Sequence, residues 1–529
     1  MSRNLHLKSL VVGLGLATAA LACAAAPAGS KVVAQAAALY TGDTVTGPMP
    51  LAEPMRVSVS LQLRNEAQLQ AFIANPNHPN LTPAQFTAQY GPSEADANAV
   101  SAWLAQHGFS DVSISSNRLL VSATAPAAVV QSAFHTNLVR VHTHDGRNAF
   151  ANASDAAVPA SLHGVSGVLG LQTVHVPHLF GRTQKGRPGG GGGSIIGHNP
   201  TQFPSIYGGT GLPTAAGVTV GIISNGDLTQ TLSDLNTFTS QNGLATVTTQ
   251  IVNTDGTGTD TSGTPEWDLD SQDIVGMGGG QVGKIVFYDI PTLANSSMVD
   301  DFNTVVQANV AKVINVSLGE CETSAKGDGS AAAADAIFQQ ADAQGQTFSV
   351  SSGDSGSNEC GGSPKGTTPS WPASSPYVVA VGGTTLNATT TTWQGETVWS
   401  STGGSPSTFE PIPSWQVGVG QNAGHTTRGV PDIAFDADPN SGAIIVVNGS
   451  PAQYGGTSLS SPLFVGFWAR MIAAKGTGIG FAAPKLYQLP ATAFHDVTSG
   501  SNGGESAAPG WDYCTGFGSI IMSQAAASL

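Results

Sequence analysis

From Ile195 onward the chain alternates short, apolar, β-branched runs with amphipathic helical stretches, and few folds accept that order. Strand candidates are Gly217 to Ile223, Lys284 to Tyr288, Lys312 to Val316, Thr347 to Val350 and Tyr377 to Val381. Helices are expected at Leu228 to Thr239, Glu266 to Val275, Met298 to Ala308, Ser330 to Ala343 and Ser458 to Ala474. Strands alternating with helices make βαβ units, so the expected fold is α/β, a mostly parallel sheet flanked by helices. Sheets of this kind place their sites in loops beyond the strand C-terminal ends. Ser317-Leu318-Gly319 and Ser352-Gly353-Asp354-Ser355-Gly356 both sit there.

Upstream the pattern differs. Strand-like runs (Arg56 to Leu63; Arg118 to Ser122) mix with amphipathic stretches (Glu66 to Ala74; Asp96 to His107), which reads as a small α+β domain. Between the two regions, residues 182–194 include Lys185-Gly186-Arg187-Pro188 and the five glycines Gly189 to Gly193. Such a stretch buries nothing and is expected to be an exposed linker open to cleavage. At the N-terminus, Arg3 and Lys8 precede an apolar run from Leu10 to Ala22, too short to span a bilayer, with small residues around Ala22-Cys23-Ala24. The expected division is therefore a signal peptide at 1–26, an α+β domain at 27–181, a linker at 182–194 and the α/β domain at 195–529. Cys23 also offers a lipoprotein acceptor, although Ala20-Leu21-Ala22 matches that motif poorly.

Charge narrows the partners. Only 10% of the residues are charged, against roughly 25% in typical soluble proteins, and 34 carboxylates face 19 Lys and Arg for a net −15. A surface this poor in charge gains little self-repulsion as carboxylates protonate, which suits low pH. No basic stripe points to nucleic acid, and no later stretch is apolar enough for a membrane. Of four cysteines, Cys23 leaves with the signal, Cys321 and Cys360 are expected to form a disulfide, and Cys514 remains as a buried thiol. The chain-entropy model gives a loop of about 40 residues up to roughly 4 kcal/mol.

Two distant segments carry chemistry. In Thr264-Pro265-Glu266-Trp267-Asp268-Leu269-Asp270, Thr264 can cap a helix and Pro265 suits its first position. Glu266, Asp270 and Asp273 then share a face while Asp268 points away. Buried together, two such carboxyls push one pKa up and can relay a proton; on the surface they are a solvated acidic face. Gly455-Gly456-Thr457-Ser458 opens a helix, exposing the Ser458 hydroxyl beside backbone N–H groups that favour an anion, or simply capping that helix. Pro462 is tolerated if it falls within the first helical turn. Gly353-Asp354-Ser355-Gly356 imitates the nucleophile segment of β-barrel serine proteases, but Ser357 stands where glycine is needed and the α/β pattern is wrong for that fold. Asp354 matters instead, because a protonated carboxyl at a strand end can donate to a developing oxyanion.

Taken in order, these segments resemble the sedolisin family of serine-carboxyl peptidases over essentially the whole chain. Leu81-Thr82-Pro83, Tyr90-Gly91-Pro92-Ser93 and Trp103-Leu104 are similar to the family's activation prodomain. Glu-x-x-Leu-Asp at Glu266, Ser-Gly-Asp at Asp354, Trp371-Pro372-Ala373-Ser374-Ser375-Pro376, Arg428-Gly429-Val430-Pro431-Asp432 and Gly-Thr-Ser-x-x-x-Pro at Ser458 follow. Ser317-Leu318-Gly319 and the Cys321/Cys360 pair resemble the pseudomonalisin branch, since kumamolisins carry Trp at the place of Leu318. The resemblance implies a subtilisin-like fold behind an inhibitory prodomain, and a secreted acid endopeptidase acting as a monomer on proteins or peptides. It implies Ser458 as nucleophile, Glu266 as base and acid, Asp270 as its hydrogen-bonding support and Asp354 as oxyanion donor. It also implies that the backbone of Ser317, Leu318 and Gly319 pairs with substrate. Asp496-Val497 and Ala508-Pro509-Gly510-Trp511-Asp512 resemble the family's calcium loop, with two carboxylates and the carbonyls of Val497, Ala508 and Gly510 forming a hard oxygen cage for one Ca²⁺. Beyond residue 195 only His198, His425 and His495 remain, none in the His-Gly-Thr context that subtilisins use. Two rivals stay open: a non-catalytic peptide-binding homologue, and a glycosidase using two carboxylates.

Overall fold

A computed structural model describes residues 28–183, 197–361, 366–475 and 479–529. The expected signal segment 1–26 and residues 184–194 of the expected linker lie outside them. The second half is built on an eight-stranded sheet. Its strands are β1 (Ala215–Asn225), β2 (Thr249–Asn253), β3 (Val282–Ile290), β4 (Val313–Val316), β5 (Thr347–Ser351), β6 (Val379–Ala388), β7 (Trp393–Val398) and β8 (Ile433–Asp436). They lie in the order β2-β3-β1-β4-β5-β6-β7, with β8 also pairing β6. Every pairing is parallel except β6 with β7. The central strands β4 and β5 are buried along their whole length, which explains their apolar or small residues; the one exception, Asn315, is hydrogen-bonded on both sides by Ser317 and Ser461. This is the expected α/β fold, a mostly parallel sheet flanked by helices.

Four helices complete the frame around the site: α1 (Thr264–Met277), α2 (Asn295–Ala308), α3 (Ser330–Ala343) and α4 (Thr457–Lys475). Every residue of α1 except Pro265 is buried, so the solvated acidic face is ruled out. Helix α1 packs against α4. Their approach depends on Gly466, where an added Cβ would stand 2.7 Å from the Met277 Cβ and 2.9 Å from the Gly278 nitrogen. Two local expectations need correcting. Gly263, not Thr264, is the N-cap of α1, and it must be glycine because a Cβ there would meet the Trp267 ring at 2.6 Å. Pro462 falls in the second turn of α4, which starts at Thr457; its missing N–H leaves the Ser458 carbonyl without the usual helical donor.

The N-terminal region is α+β, as expected. Four antiparallel strands run in the order Ser110–Ile114, Leu120–Pro126, Pro54–Leu61, Val165–Leu169, backed by helices that include Glu94–Gln106 and Ala127–Phe134. This sheet docks on the second half through apolar residues such as Leu120 and Leu169, which join the core cluster of the second half, and through polar contacts. Arg56 reaches both Asp255 (2.9 Å) and Asp300 (3.2 Å), and Asn117 donates to Asn303 (2.6 Å) and Gln340 (2.7 Å). Its last described residues then enter the cleft at the C-terminal ends of the parallel strands.

Candidate active site

Helix α4 begins immediately after Gly456, whose φ of +99° turns the chain sharply into the first helical residue. That turn puts Ser458 at the helix N-terminus, fully buried, and its hydroxyl has no hydrogen-bond partner. Glu266, in the first turn of α1, is 3% exposed and faces it closely enough for the hydroxyl to favour the ionised carboxylate. The contact falls short of hydrogen-bond geometry, as is common before substrate draws such groups together. Burial first, then the charge of Asp270, pushes the Glu266 carboxyl well above the usual range.

Asp270 lies one turn further along α1 and is also fully buried. Ser317 Oγ donates to its Oδ1 at 2.7 Å, and Asn315 Nδ2 donates to Ser317 Oγ at 2.9 Å. Ser461 of α4 closes this chain by donating to Asn315 Oδ1 at 2.7 Å. Burial pushes Asp270 up as well, against the pull of Ser317 and Asn315. Glu266 Oε1 and Asp270 Oδ2 are both buried without a donor. Ionising both carboxyls at once is therefore costly.

Asp354 follows β5 and turns back under α4. Its Oδ1 accepts from the Thr457 N–H (2.9 Å) and Thr457 Oγ1 (3.0 Å), while Oδ2 faces Arg182 Nε at 3.0 Å. Burial raises its carboxyl to about 7 even though Thr457 and Arg182 both favour the ionised form. Asp268, on the opposite side of α1, is a separate case. Burial and the neighbouring Asp234 push it to about 9, well away from Ser458.

The cleft holds the protein's own chain. His178–Leu179 pairs antiparallel with Leu318–Gly319, and Arg182–Thr183 pairs antiparallel with Tyr454–Gly455. Leu318 and Gly319 thus offer an edge to an extended strand, and Ser317 acts through its side chain on Asp270. Between the paired dipeptides, the Gly181 N–H donates to Glu266 Oε2 at 2.7 Å. Arg182 and Thr183, expected as the start of an exposed linker, are exposed as expected but are paired as a strand at the cleft. Sequence reasoning also passed over Phe180, Gly181, Thr457 and the Tyr454–Gly455 edge. A signal for that edge existed. Asn448-Gly449, both at positive φ, lies between the strands Ala443–Val447 and Ser450–Gly455, and Asn-Gly between apolar runs marks a hairpin.

Cys321 and Cys360 form a disulfide with Cα atoms 4.5 Å apart, and Cys514 is a buried free thiol. Asp496 and Asp512 meet across the 508–510 loop. The Gly510 N–H donates to Asp496 Oδ2 and the Ala508 N–H to Asp512 Oδ2, each at 2.9 Å. Asp512 is fully buried, and neither carboxyl makes an ion pair among the described residues. Two carboxylates bonded to one loop supply the hard oxygen donors that a divalent ion such as Ca²⁺ takes. No cluster of three or more His, Cys, Asp or Glu suited to a metal occurs among the described residues, and this set needs only two side chains.

The fold is subtilisin-like, and the buried Ser458 hydroxyl faces the carboxyl of Glu266. The comparisons agree in both halves. Residues 41–174 match the pro-kumamolisin activation domain and residues 237–511 match the subtilase family. Sedolisin of Pseudomonas sp. (strain 101) is 45% identical over 90% of this chain and 87% of its own length. Xanthomonalisin of Xanthomonas sp. (strain T-22) is 44% identical over 88% of this chain, which spans 64% of that longer protein. Kumamolisin of Bacillus sp. (strain MN-32) is 31% identical over 89% of this chain and 91% of its own length. A solved structure of Pseudomonas sedolisin, complexed with two molecules of pseudo-iodotyrostatin, aligns with a TM-score of 0.60 at 47% identity, over 63% of this chain and 98% of that one. The chain belongs to the sedolisin family of serine-carboxyl peptidases.

Proposed function

We propose that this chain is a secreted, acid-acting serine endopeptidase, made as a zymogen that processes itself. The observation that carries the reading is the convergence of Ser458, Glu266 and a backbone N–H of an extended segment, that of Gly181, at one buried point. Ser458 Oγ attacks a peptide carbonyl and passes its proton to Glu266. Asp270, sharing a proton with Glu266, keeps the pair at one negative charge. Glu266 then returns the proton to the leaving nitrogen, and water repeats the sequence on the acyl-enzyme. Asp354, protonated below about 7, donates to the oxyanion. Secretion rests on the N-terminal signal-like segment; among the described residues no helix is long and apolar enough to cross a membrane. Substrates are proteins or peptides bound as a strand on Leu318–Gly319, with the N-terminal domain as an intramolecular inhibitor and a monomer as the working form.

The decisive variant is Ser458→Ala. After a shift from pH 7 to about pH 4, wild type should shorten itself and digest casein, while the variant stays whole; retained acid activity in the variant sinks the assignment. One Ca²⁺ is assigned to Asp496, Asp512 and the carbonyls of Val497, Ala508 and Gly510. There it neutralises two carboxylates and ties the C-terminal loop, with no step in the chemistry. A chelator should lower Tm by several degrees, with calcium but not magnesium restoring it; an unchanged Tm removes the ion.

A further inference from the structure

The strand in the cleft is anchored on both flanks, and its one unpaired link is Phe180–Gly181. The Gly181 nitrogen is already on Glu266, where a leaving amine must collect its proton. The Phe180 carbonyl reaches the other half of the machinery. A Cβ built at Gly456 would stand 2.0 Å from the Phe180 oxygen and 2.9 Å from Asp354 Oδ2, so that oxygen and the Asp354 carboxyl converge beside the start of α4. The Phe180 side chain is fully buried and lies over Gly319, where any Cβ would strike its ring at 2.7 Å. Two residues earlier, the His178 ring stands edge-on to Phe180, with centroids 4.9 Å apart. Its Nε2 is 3.0 Å from Glu359 Oε1, an ion pair when the imidazole is protonated. The Glu359 side chain is 1% exposed, and its Oε2 is buried without a partner. A buried carboxylate beside the cleft leaves an acidic neighbour unpaired and repelled, and an apolar one wastes its desolvation.

We propose that the first self-cleavage of this chain breaks the Phe180–Gly181 peptide bond, and that Glu359 selects this register by binding a basic side chain two residues before the one that supplies the carbonyl. The proposal rests on the peptidase reading above. Ser458 Oγ bonds to the Phe180 carbonyl carbon and its proton goes to Glu266. The carbon–nitrogen bond to Gly181 breaks as Glu266 protonates that nitrogen. Water then hydrolyses the ester, leaving Phe180 with a free carboxyl, Gly181 with a free amine and Ser458 restored. The cut lies upstream of the glycine run, so any trimming within 184–194 comes second.

The test uses the full chain shifted from pH 7 to about pH 4, with intact mass and N-terminal sequencing at early times. The expected first products are a fragment ending at Phe180 and one beginning at Gly181, formed at a rate independent of protein concentration. A first new terminus elsewhere, in a protein that digests casein, overturns the register and leaves the peptidase reading standing. A protein that cuts neither itself nor casein sinks both. The second arm offers the processed enzyme the peptide Val-Pro-His-Leu-Phe-Gly-Arg-Thr with His, Arg, Ala or Glu at its third position. Basic residues should exceed Glu by at least about tenfold in kcat/KM, and Glu359→Gln should narrow that ratio to below about threefold. Equal rates across the wild-type series refute the role of Glu359, and that series decides the question even if the variant fails to fold.

Discussion

Two aspartate–arginine pairs in this molecule use the same chemistry for opposite ends. Arg428 and Asp432 form a fork, with Nη1 to Oδ1 at 2.8 Å and Nη2 to Oδ2 at 2.6 Å, and both side chains are buried. Tyr487 and the Ala380 N–H fill the remaining positions on Asp432, each at 2.8 Å. Arg182 offers Asp354 a single nitrogen at 3.0 Å, and half of its side chain is in water. The first pair has no competitor for either partner. In the second, water competes for the arginine and a proton competes for the aspartate, whose carboxyl sits near 7. A pair buried on both sides behaves as part of the fold, whereas one buried on a single side can be exchanged.

The largest effect should come from breaking the fork. Asp432→Ala strands a buried guanidinium and is expected to cost about 3–5 kcal/mol, read as a lower urea midpoint at unchanged m. Asp354→Ala should do the reverse, lowering the rate of self-processing about 10²–10³-fold while leaving the urea midpoint much nearer wild type. Equal loss of stability in the two variants would erase the distinction. The smallest effect, and the sharpest, belongs to Arg182→Ala. Arg182 favours the ionised form of Asp354, so without it the proton is held to higher pH. Self-processing should fall in wild type as pH rises through about 7, and that upper limb should move to higher pH in the variant. A limb that stays put separates Arg182 from the oxyanion donor.

The strands β1 and β3 to β6 were legible because burial favours apolar, β-branched runs such as Ile285-Val286-Phe287 and Val379-Ala380-Val381, and that preference is written locally. Thr249–Asn253 was not, since a half-exposed edge strand reading Thr-Gln-Ile-Val-Asn shows neither an apolar run nor a clean alternation. Ile433–Asp436 is short and begins two residues after Pro431, which reads as a breaker rather than a strand. At the site, Glu266, Asp270, Asp354 and Ser458 stand in helix starts and strand ends that the sequence marks with Gly, Pro and Thr. The acidic face of α1 was ambiguous for a physical reason: the same spacing serves water or a core, and the packing of α4 and its neighbours on α1 decides. Phe180, Arg182 and Glu359 carry no local mark at all. Their roles arise from docking two distant parts of the chain, which no window of neighbouring residues can register.

The double anchoring of residues 178–183 also says something about how strongly the cleft is closed. While the chain is continuous, each paired dipeptide is held at a high effective concentration by the other and by the docked N-terminal domain, so two short pairings behave as one tight ligand. Severing the link between them ends that coupling whatever becomes of the individual pairings. It makes the piece ending at Phe180 a separate molecule that dilution can carry off with the N-terminal domain, while Arg182 and Thr183 stay tethered to the α/β domain at its new N-terminus.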